Sequence, residues 1–441
     1  MEFRAIFIVA VSGAGVLFSF WHAIYGLYAY LWFAYFRVQD LASWVPWLFK
    51  LRLSFCIATA VIIGSFLQRE KIFYPHRLSH LLLLFWFLTL LSAVFSSVAA
   101  VSWRQFEEMS KVFIIGCLIM GLVNTRQKFH QTCTTIALCL AFFGVKVGIF
   151  SLQGGEILQG PGGILGDNNA FAMVLVMSIP FLYYLGYTYK GWKRWAFHYS
   201  IPFVIWGVIG TQSRGGFLAL VSLLIIMMIY TGKKLRGYMM IVGLFAVCSW
   251  PFLPQDYKER LGTILVAKES IEKEESLEEA EGESSAMSRV HFWKVAWVMA
   301  KENPLFGTGL ATYRHRYNNY DYSNGFYGRN RAVHNSYMEV LADNGFICFG
   351  IYLLLFMTAF FENQKIRKEA KSTPDLQWTV PYTYMIQTSL AAFLVGSIFI
   401  SVAYGDLPYH IICLVVALRH AIDSEARTAL TFSTNPAYGR R

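Results

Sequence analysis

Charged residues are scarce in this sequence. Of its 441 residues only 15% are Asp, Glu, Lys or Arg, whereas 56% are hydrophobic and 17% are aromatic. Soluble globular chains carry about a quarter charged residues, so this composition argues against an ordinary water-soluble domain. Apolar runs long enough to cross a ~30 Å hydrocarbon core recur along the whole chain. The composition therefore predicts an all-α, polytopic integral membrane protein.

Several familiar site signatures are also missing. The seven cysteines lie within or beside apolar runs and form no CxxC pair, which argues against a disulfide framework or a zinc site. No GxxxxGK[ST], HExxH or GxSxG motif is present, which argues against an ATPase, a metalloprotease and a lipase. The start of the chain lacks the pattern of a cleaved signal peptide and is interpreted as a first membrane anchor. The net charge of +11 does not indicate nucleic acid, because the basic residues lie in short loops between apolar runs.

These basic loops predict the topology. Because cytoplasmic loops are enriched in Lys and Arg, we place at the cytoplasmic face the loops that contain Arg69/Lys71/Arg77, Arg126/Lys128, Lys190/Lys193/Arg194, Lys233/Lys234/Arg236 and Lys365/Arg367/Lys368/Lys371. The predicted spans are 5–36, 53–67, 80–100, 112–123, 131–152, 169–188, 198–212, 216–231, 238–253, 346–361, 380–402 and 408–419. Residues 5–36 form either one long helix or a tight hairpin, which gives 12 or 13 transmembrane helices.

The domain organisation follows from these spans. Predicted transmembrane helices occupy 1–253 and 346–419, and 420–441 is a cytoplasmic tail. Between them, residues 254–345 form a periplasmic loop domain of about 90 residues, far longer than most connections. An acidic run within 269–284 is typical of a solvated segment. Beyond it, Met287–Lys301 has helical periodicity up to Asn303-Pro304, and a second helix is predicted from near Asn335 to a turn at Asp343-Asn344-Gly345.

Two arginines are candidate phosphate ligands. Arg214 lies beside two glycines in a predicted external hairpin, and Arg289 begins the loop-domain helix one turn before Trp293. Arginine binds phosphate oxygens in a bidentate manner and stays charged. Each also has a simpler interpretation, since Arg214 is placed to snorkel to headgroups and Arg289 to lie on an exposed helix surface.

Three further polar features are candidates. His334 has a side chain suited to removing a hydroxyl proton near neutral pH, although a lone histidine is usually structural. Lys146 lies inside an apolar span, where the alternative is a snorkelling lysine. Asp167-Asn168-Asn169 opens a span at the external face, and helix capping explains these residues almost as well. The external loops contain no acidic pair of the Asp-x-Asp kind, which many sugar transferases use to hold a divalent metal, so a metal-independent site fits better.

Taken in order, these motifs resemble the O-antigen ligase superfamily, which includes polysaccharide polymerases and protein O-oligosaccharyltransferases. The resemblance covers about residues 80–420 and rests on Gly-Asp-Asn-Asn (166–169), Gln-Ser-Arg-Gly-Gly (212–216), Ser288-Arg289 with Trp293 leading into Asn303–Gly309, and His334-Asn335-Ser336-Tyr337 leading to Gly345. Gly-Val-Lys (144–146) and the aromatic-rich start are most similar to the branch associated with exosortase and exopolysaccharide clusters. The acidic run 269–284 is not part of the family pattern.

The resemblance implies a GT-C-like glycosyltransferase. Its donor would be a glycan on undecaprenyl diphosphate, transferred with inversion and without a metal cofactor at the periplasmic face of the bacterial inner membrane. His334 would be the catalytic base, and Arg214, Arg289 and Lys146 would bind the diphosphate. The supporting residues would be Asn168, Asn169, Asn335, Tyr337 and Trp293.

Several functions remain open at this point. A ligase would transfer the glycan to lipid A-core in lipopolysaccharide biosynthesis, a polymerase would transfer it to another lipid-linked repeat unit, and an O-oligosaccharyltransferase would transfer it to a protein. A small-anion transporter with Arg214 and Lys146 along its path is a different class, but the chain shows no internal repeat. A structural scaffold would not need cations facing outward from the membrane. Neither the sugar nor the oligomeric state follows from the sequence.

Overall fold

The computed structural model describes residues 2–38, 45–249 and 281–434. Regular structure in these ranges is helical, apart from an isolated bridge between Gln159 and Asp167, which confirms the all-α prediction. We number the α-helices in chain order: α1 (Glu2–Trp21), α2 (Ala23–Tyr35), α3 (Pro46–Lys50), α4 (Leu53–Leu67), α5 (Arg77–Val94), α6 (Ala99–Leu122), α7 (Arg126–Leu152), α8 (Asn168–Thr188), α9 (Trp192–Gly210), α10 (Arg214–Ser249), α11 (Glu281–Glu302), α12 (Tyr313–Tyr320), α13 (Ser336–Ser372), α14 (Val380–Gly396) and α15 (Asp406–Thr434).

The bundle has the helices that a multi-pass membrane protein needs. Within the described ranges, five helices have the length and hydropathy to cross a membrane, and two shorter apolar helices accompany them: Phe3–Trp21, Arg77–Val94, Arg126–Leu152, Asn168–Thr188 and Ser336–Ser372, with Leu53–Leu67 and Arg214–Tyr230. Of the five, α8 is the most enclosed, because 89% of its apolar stretch is buried inside the protein, compared with 28–39% for the other four helices. Its N-terminus therefore lies near the centre of one end of the bundle.

The structure decides between the two alternatives for residues 5–36, and it joins two of the predicted spans into one helix. Residues 5–36 form a hairpin, because the extended backbone of His22 separates α1 from α2. The predicted span 216–231 and residues 238–249 of the predicted span 238–253 are instead parts of one helix, α10, and residues 250–253 lie outside the described residues. Lysine and arginine have high helix propensity, so the basic run expected to form a loop there continues the helix. The connection from α10 to α11, including most of the acidic run 269–284, lies outside the described residues.

Three of the predicted basic loops, at 69–77, 126–128 and 365–371, gather at one end of the bundle, which we call the basic end. There Lys128 Nζ lies 3.6 Å from Glu70 Oε1, and Arg419 pairs with Glu369 at 2.6 Å. The guanidinium of Arg126 lies over the Trp378 ring. These contacts join loops that are far apart in sequence, as expected if one face of a membrane receives them all. The opposite end, which we call the site end, contains the starts of α8, α10, α13 and α15.

The loop domain, defined here as residues 281–335, packs on the site end. In α11, Phe292, Val295, Ala296 and Met299 are buried against α12 and the start of α13. The predicted helix Met287–Lys301 is therefore present, with the longer bounds Glu281–Glu302. The helix predicted from near Asn335 begins at Ser336 and bends at Gly345 before it continues as a span.

The bend at Gly345 gives a first prediction. Gly345 has φ +75° and ψ 180°, a conformation essentially limited to glycine, and a Cβ there would lie 2.6 Å from the Pro304 carbonyl oxygen. We expect Gly345→Ala to lower the free energy of unfolding by about 1–3 kcal/mol. Thermal unfolding of the purified protein in detergent measures the loss.

Gly350 offers the matched control on the same helix. A Cβ at Gly350 meets open space, and alanine has the higher helix propensity, so Gly350→Ala is expected to leave stability unchanged or slightly raised. Equal melting temperatures for the two variants would contradict the account of the bend.

Candidate functional site

The hairpin between α9 and α10 positions Arg214. Ser213 is the N-cap of α10: its Oγ accepts the N–H of Gly216 at 2.9 Å, and its hydroxyl donates to Asn169 Oδ1 at 2.7 Å. Arg214 follows as the first residue of α10, in the turn where unpaired backbone N–H groups favour anions. The arginine is thus held at the site end by a cap that is itself bound to α8.

The start of α8 supports this hairpin. Asp167 caps α8, because its Oδ1 accepts the N–H groups of Asn169 and Ala170 at 2.9 and 3.0 Å. Asn168 Nδ2 donates to the Thr211 carbonyl oxygen at 3.0 Å, and Asn169 Nδ2 donates to Asn168 Oδ1 at 3.1 Å. Asn168 and Asn169 therefore join α8 to the hairpin, which is how the structure places these two predicted supporting residues.

The first turns of α11 bring Arg289 to the same region. Trp293, one turn further along, donates its indole N–H to the Val333 carbonyl oxygen at 3.2 Å. This bond ties the Arg289 end of the helix to the residue immediately before His334. The predicted supporting residue Trp293 thus joins two segments of the loop domain.

The segment that follows is held by the end of α14 and by the connection from α14 to α15. Asn335 caps α13 by accepting the N–H groups of Tyr337 and Met338 at 2.9 and 3.0 Å. The Tyr337 hydroxyl donates to the Leu394 carbonyl oxygen at 2.7 Å, and Ser336 Oγ donates to that of Ile400 at 2.7 Å. His334 itself has φ +50°, a left-handed conformation uncommon for residues other than glycine. The surrounding bonds keep this backbone in place.

Electrostatics show that the separate segments meet. Burial and the charge of Arg214 lower the pKa of Arg289. Burial lowers the pKa of His334, the charges of Arg289 and Arg331 lower it further, and Asp167 opposes them. Interactions of this kind need short separations. Arg289 is therefore near both Arg214 and His334 at the site end; we call these three residues the cationic cluster, and Asp167 is a negative charge near His334.

Lys146 does not share this arrangement. It lies in α7 with an exposed side chain, two residues from Gly144 and Gly148, whose Cα atoms pack tightly against Val204 and Phe203 of α9. The helical periodicity turns Lys146 away from that interface. Its predicted role in binding diphosphate stays a prediction.

Sequence reasoning missed several contributions to this site. Asp167 was grouped with its neighbours as a polar or capping residue, yet its charge also acts on His334. Ser213 connects the hairpin to α8, and its signal in the sequence was the position just before a helix. Away from the cationic cluster, Asp321 accepts a hydrogen bond from His291 Nε2 at 2.8 Å. Only the packing of α11 on α12 makes this pair.

Within the described residues, side chains that could bind a metal ion do not form a cluster. Across residues 2–38, 45–249 and 281–434, no three His, Cys, Asp or Glu side chains lie close enough to hold a metal ion. The cluster instead offers two guanidiniums and one imidazole, which suit an anionic phosphate and a hydroxyl proton. Independence from metal stays a prediction.

The fold and the cluster define a class: a multi-pass helical membrane protein with a cationic site where its loop domain meets the bundle. The family model for O-antigen ligase matches residues 199–353, a range that contains Arg214, Arg289 and His334. This match confirms the resemblance to the O-antigen ligase superfamily and supports glycan transfer at the level of the family. A search of curated proteins finds no match. The exosortase-associated branch stays a prediction.

Proposed function

We propose that this protein transfers a glycan from a lipid-linked diphosphate donor to an acceptor hydroxyl, as an O-antigen ligase-type enzyme. The observation that carries the proposal is the cationic cluster, because it brings two phosphate-binding arginines and a neutral base together within the matched family segment. The donor carrier would be undecaprenyl diphosphate and the acceptor lipid A-core. The charge bias of the loops supports the cytoplasmic face for the basic end and the periplasmic face of the inner membrane for the site end.

The residues of the cationic cluster suit a single displacement at the anomeric carbon of the donor. The acceptor hydroxyl oxygen attacks the anomeric carbon while His334 takes its proton, and the bond from that carbon to the diphosphate oxygen breaks. The electron pair leaves with the diphosphate, whose growing negative charge Arg214 and Arg289 stabilise. Attack opposite the leaving group inverts the anomeric carbon. Diphosphate is a good leaving group, so the step needs neither a separate acid nor a metal cofactor.

Transfer in proteoliposomes tests the function. We would supply undecaprenyl-diphosphate-linked oligosaccharide with lipid A-core, a second lipid-linked unit or an acceptor protein, and keep EDTA present throughout. We expect labelled sugar to move to lipid A-core. Transfer to a lipid-linked unit alone would make the protein a polymerase, and transfer to protein an O-oligosaccharyltransferase. No transfer to any acceptor, together with movement of a small anion across the bilayer, would replace the proposal with transport.

The depressed pKa of His334 predicts the pH dependence. A base must be deprotonated to act, so activity is lost as pH falls through the pKa of His334, which burial and Arg289 place below its usual 6.5. We therefore expect more than half of the maximal activity to remain at pH 6.5, with the decline centred at lower pH. The measurement is kcat/KM for transfer between pH 4.5 and 8.

Two substitutions move this profile in opposite directions. Arg289→Ala removes a positive charge, so the residual activity should decline at higher pH than in the wild type. Asp167→Asn removes a negative charge and should shift the decline to lower pH. An unchanged profile in both variants would mean that another group is titrating.

A further inference from the structure

A second polar site lies in the loop domain, between the end of α11 and the end of α12. It is an open pocket of about 490 Å³. Its lining consists of Val298, Glu302, Arg316, Asn319, Tyr320, Asp321 and Tyr322. The proposed transfer step uses none of these residues.

Hydrogen bonds hold the Asp321 carboxylate of this pocket in place. Asp321 Oδ1 accepts hydrogen bonds from His291 Nε2 at 2.8 Å and from Ser323 Oγ at 2.6 Å, and Oδ2 accepts the Gly325 N–H at 2.9 Å. Burial raises the pKa of the Asp321 carboxyl, but these hydrogen bonds outweigh it and bring the pKa to about 2. The carboxylate is therefore charged and its oxygens are already used, so it holds the turn in place rather than waiting for a cation.

The remaining groups point to a ligand. Arg316 Nε is buried and makes no hydrogen bond to the described residues, and its guanidinium lies 5.8 Å from the centre of the Tyr320 ring. This buried Nε is closed to a ligand as it is to solvent, so contact with a ligand falls to the part of the half-exposed Arg316 side chain that lines the pocket. Asn319 and Glu302 are exposed beside it, and the Tyr322 side chain is 57% exposed.

This combination has the chemistry of sugar recognition. Planar side chains such as arginine, amide and carboxylate offer paired donors or acceptors to neighbouring hydroxyls, and tyrosine rings offer flat apolar faces to the C–H side of a pyranose. Phosphate fits poorly, because Glu302 and Asp321 supply two negative charges against the one guanidinium of Arg316. The pocket thus differs in kind from the cationic cluster.

We infer that this pocket, which we call the glycan subsite, binds a sugar unit of the oligosaccharide in donor or acceptor; the inference rests on the proposed function. At 1.5 Å per residue, Glu302 lies about 20 Å along α11 from Arg289. That separation exceeds one sugar, so the unit bound here is several residues from the reacting carbon. Val298 and Glu302 line the pocket, whereas Trp293 bonds to the residue before His334, so the two sites lie on different faces of α11.

Transfer kinetics with substrates of different length test the subsite. We would compare Tyr322→Ala and Arg316→Gln with the wild type, using a donor that carries a long oligosaccharide and one that carries a single sugar. Loss of one aromatic or guanidinium contact is expected to raise KM for the long donor by roughly tenfold, with kcat nearly unchanged. The single-sugar donor should react as in the wild type. A matching pair of acceptors, long and short, shows which glycan the subsite binds.

Two control variants test whether an effect on KM is specific to the pocket or follows from any change in the same loop. Phe326 is 76% exposed and Arg329 is also exposed, in the same loop but outside the pocket lining. Phe326→Ala and Arg329→Gln should keep the wild-type KM for every substrate. The inference is overturned if Tyr322→Ala and Arg316→Gln keep the wild-type KM for both the long donor and the long acceptor. It is also overturned if KM rises as much in the two control variants as in the pocket variants.

A binding measurement keeps this inference distinct from the proposed function. Saturation-transfer NMR with free oligosaccharide and the purified full chain should show contact in the wild type and less in Tyr322→Ala. Contact without any transfer would reject the proposed enzyme and keep a glycan-binding pocket. Transfer by the wild type without oligosaccharide contact, and with length-independent KM, would keep the enzyme and reject the subsite.

Discussion

Replacing His334 with asparagine is expected to lower the rate of glycan transfer by about 10²–10⁴-fold, the range typical for loss of a general base. Asparagine suits the test because it tolerates the left-handed backbone that His334 adopts at φ +50°, whereas alanine would add strain. The variant should fold and bind donor as the wild type does. The measurement is single-turnover transfer in proteoliposomes with saturating donor and acceptor.

A second histidine supplies the control for this test. His315 lies in α12 of the loop domain with an exposed side chain, so His315→Asn should transfer glycan at the wild-type rate. Equal melting temperatures for both variants and the wild type exclude unfolding as the cause of a loss. A His334→Asn protein that retains more than about a tenth of the activity would show that another group takes the proton.

The second large effect concerns the two arginines. Changing Arg214 or Arg289 to lysine keeps the charge but removes the planar, bidentate donors, and we expect each change to lower kcat by about 10²–10³-fold. The double variant should lose less than the product of the two single effects, because both side chains act on one diphosphate. Transfer rates of the four proteins complete the cycle.

The result would also distinguish diphosphate binding from a structural role. Arg329→Lys changes an exposed arginine of the loop domain and is expected to have no effect. If Arg214 and Arg289 only support the fold, both lysine variants should melt at lower temperature and recover activity on cooling. Full activity in both would place the diphosphate elsewhere, and Lys146→Gln would then be the next variant to test.

Local patterns in the sequence were sufficient for much of the fold. Hydropathy, helical periodicity and the stop at Asn303-Pro304 predicted the helical class and the helix that carries Arg289, because these features depend on neighbouring residues and on the apolar solvent. Local signals failed at α10. A basic run reads as a loop when charge is used to assign topology, yet the same side chains favour helix once the backbone has entered one.

The sequence by itself determined that this is a helical membrane protein and which side-chain types have phosphate and proton chemistry. Only the tertiary structure decided that Arg214, Arg289 and His334 come together, since they lie on separate elements. It also decided that Lys146 faces away from its interface with α9 and that Asp321, which accepts a hydrogen bond from His291, lines a pocket. The physical reason is range: periodicity and capping act within a few turns of one helix, whereas a charge cluster depends on how distant helices pack.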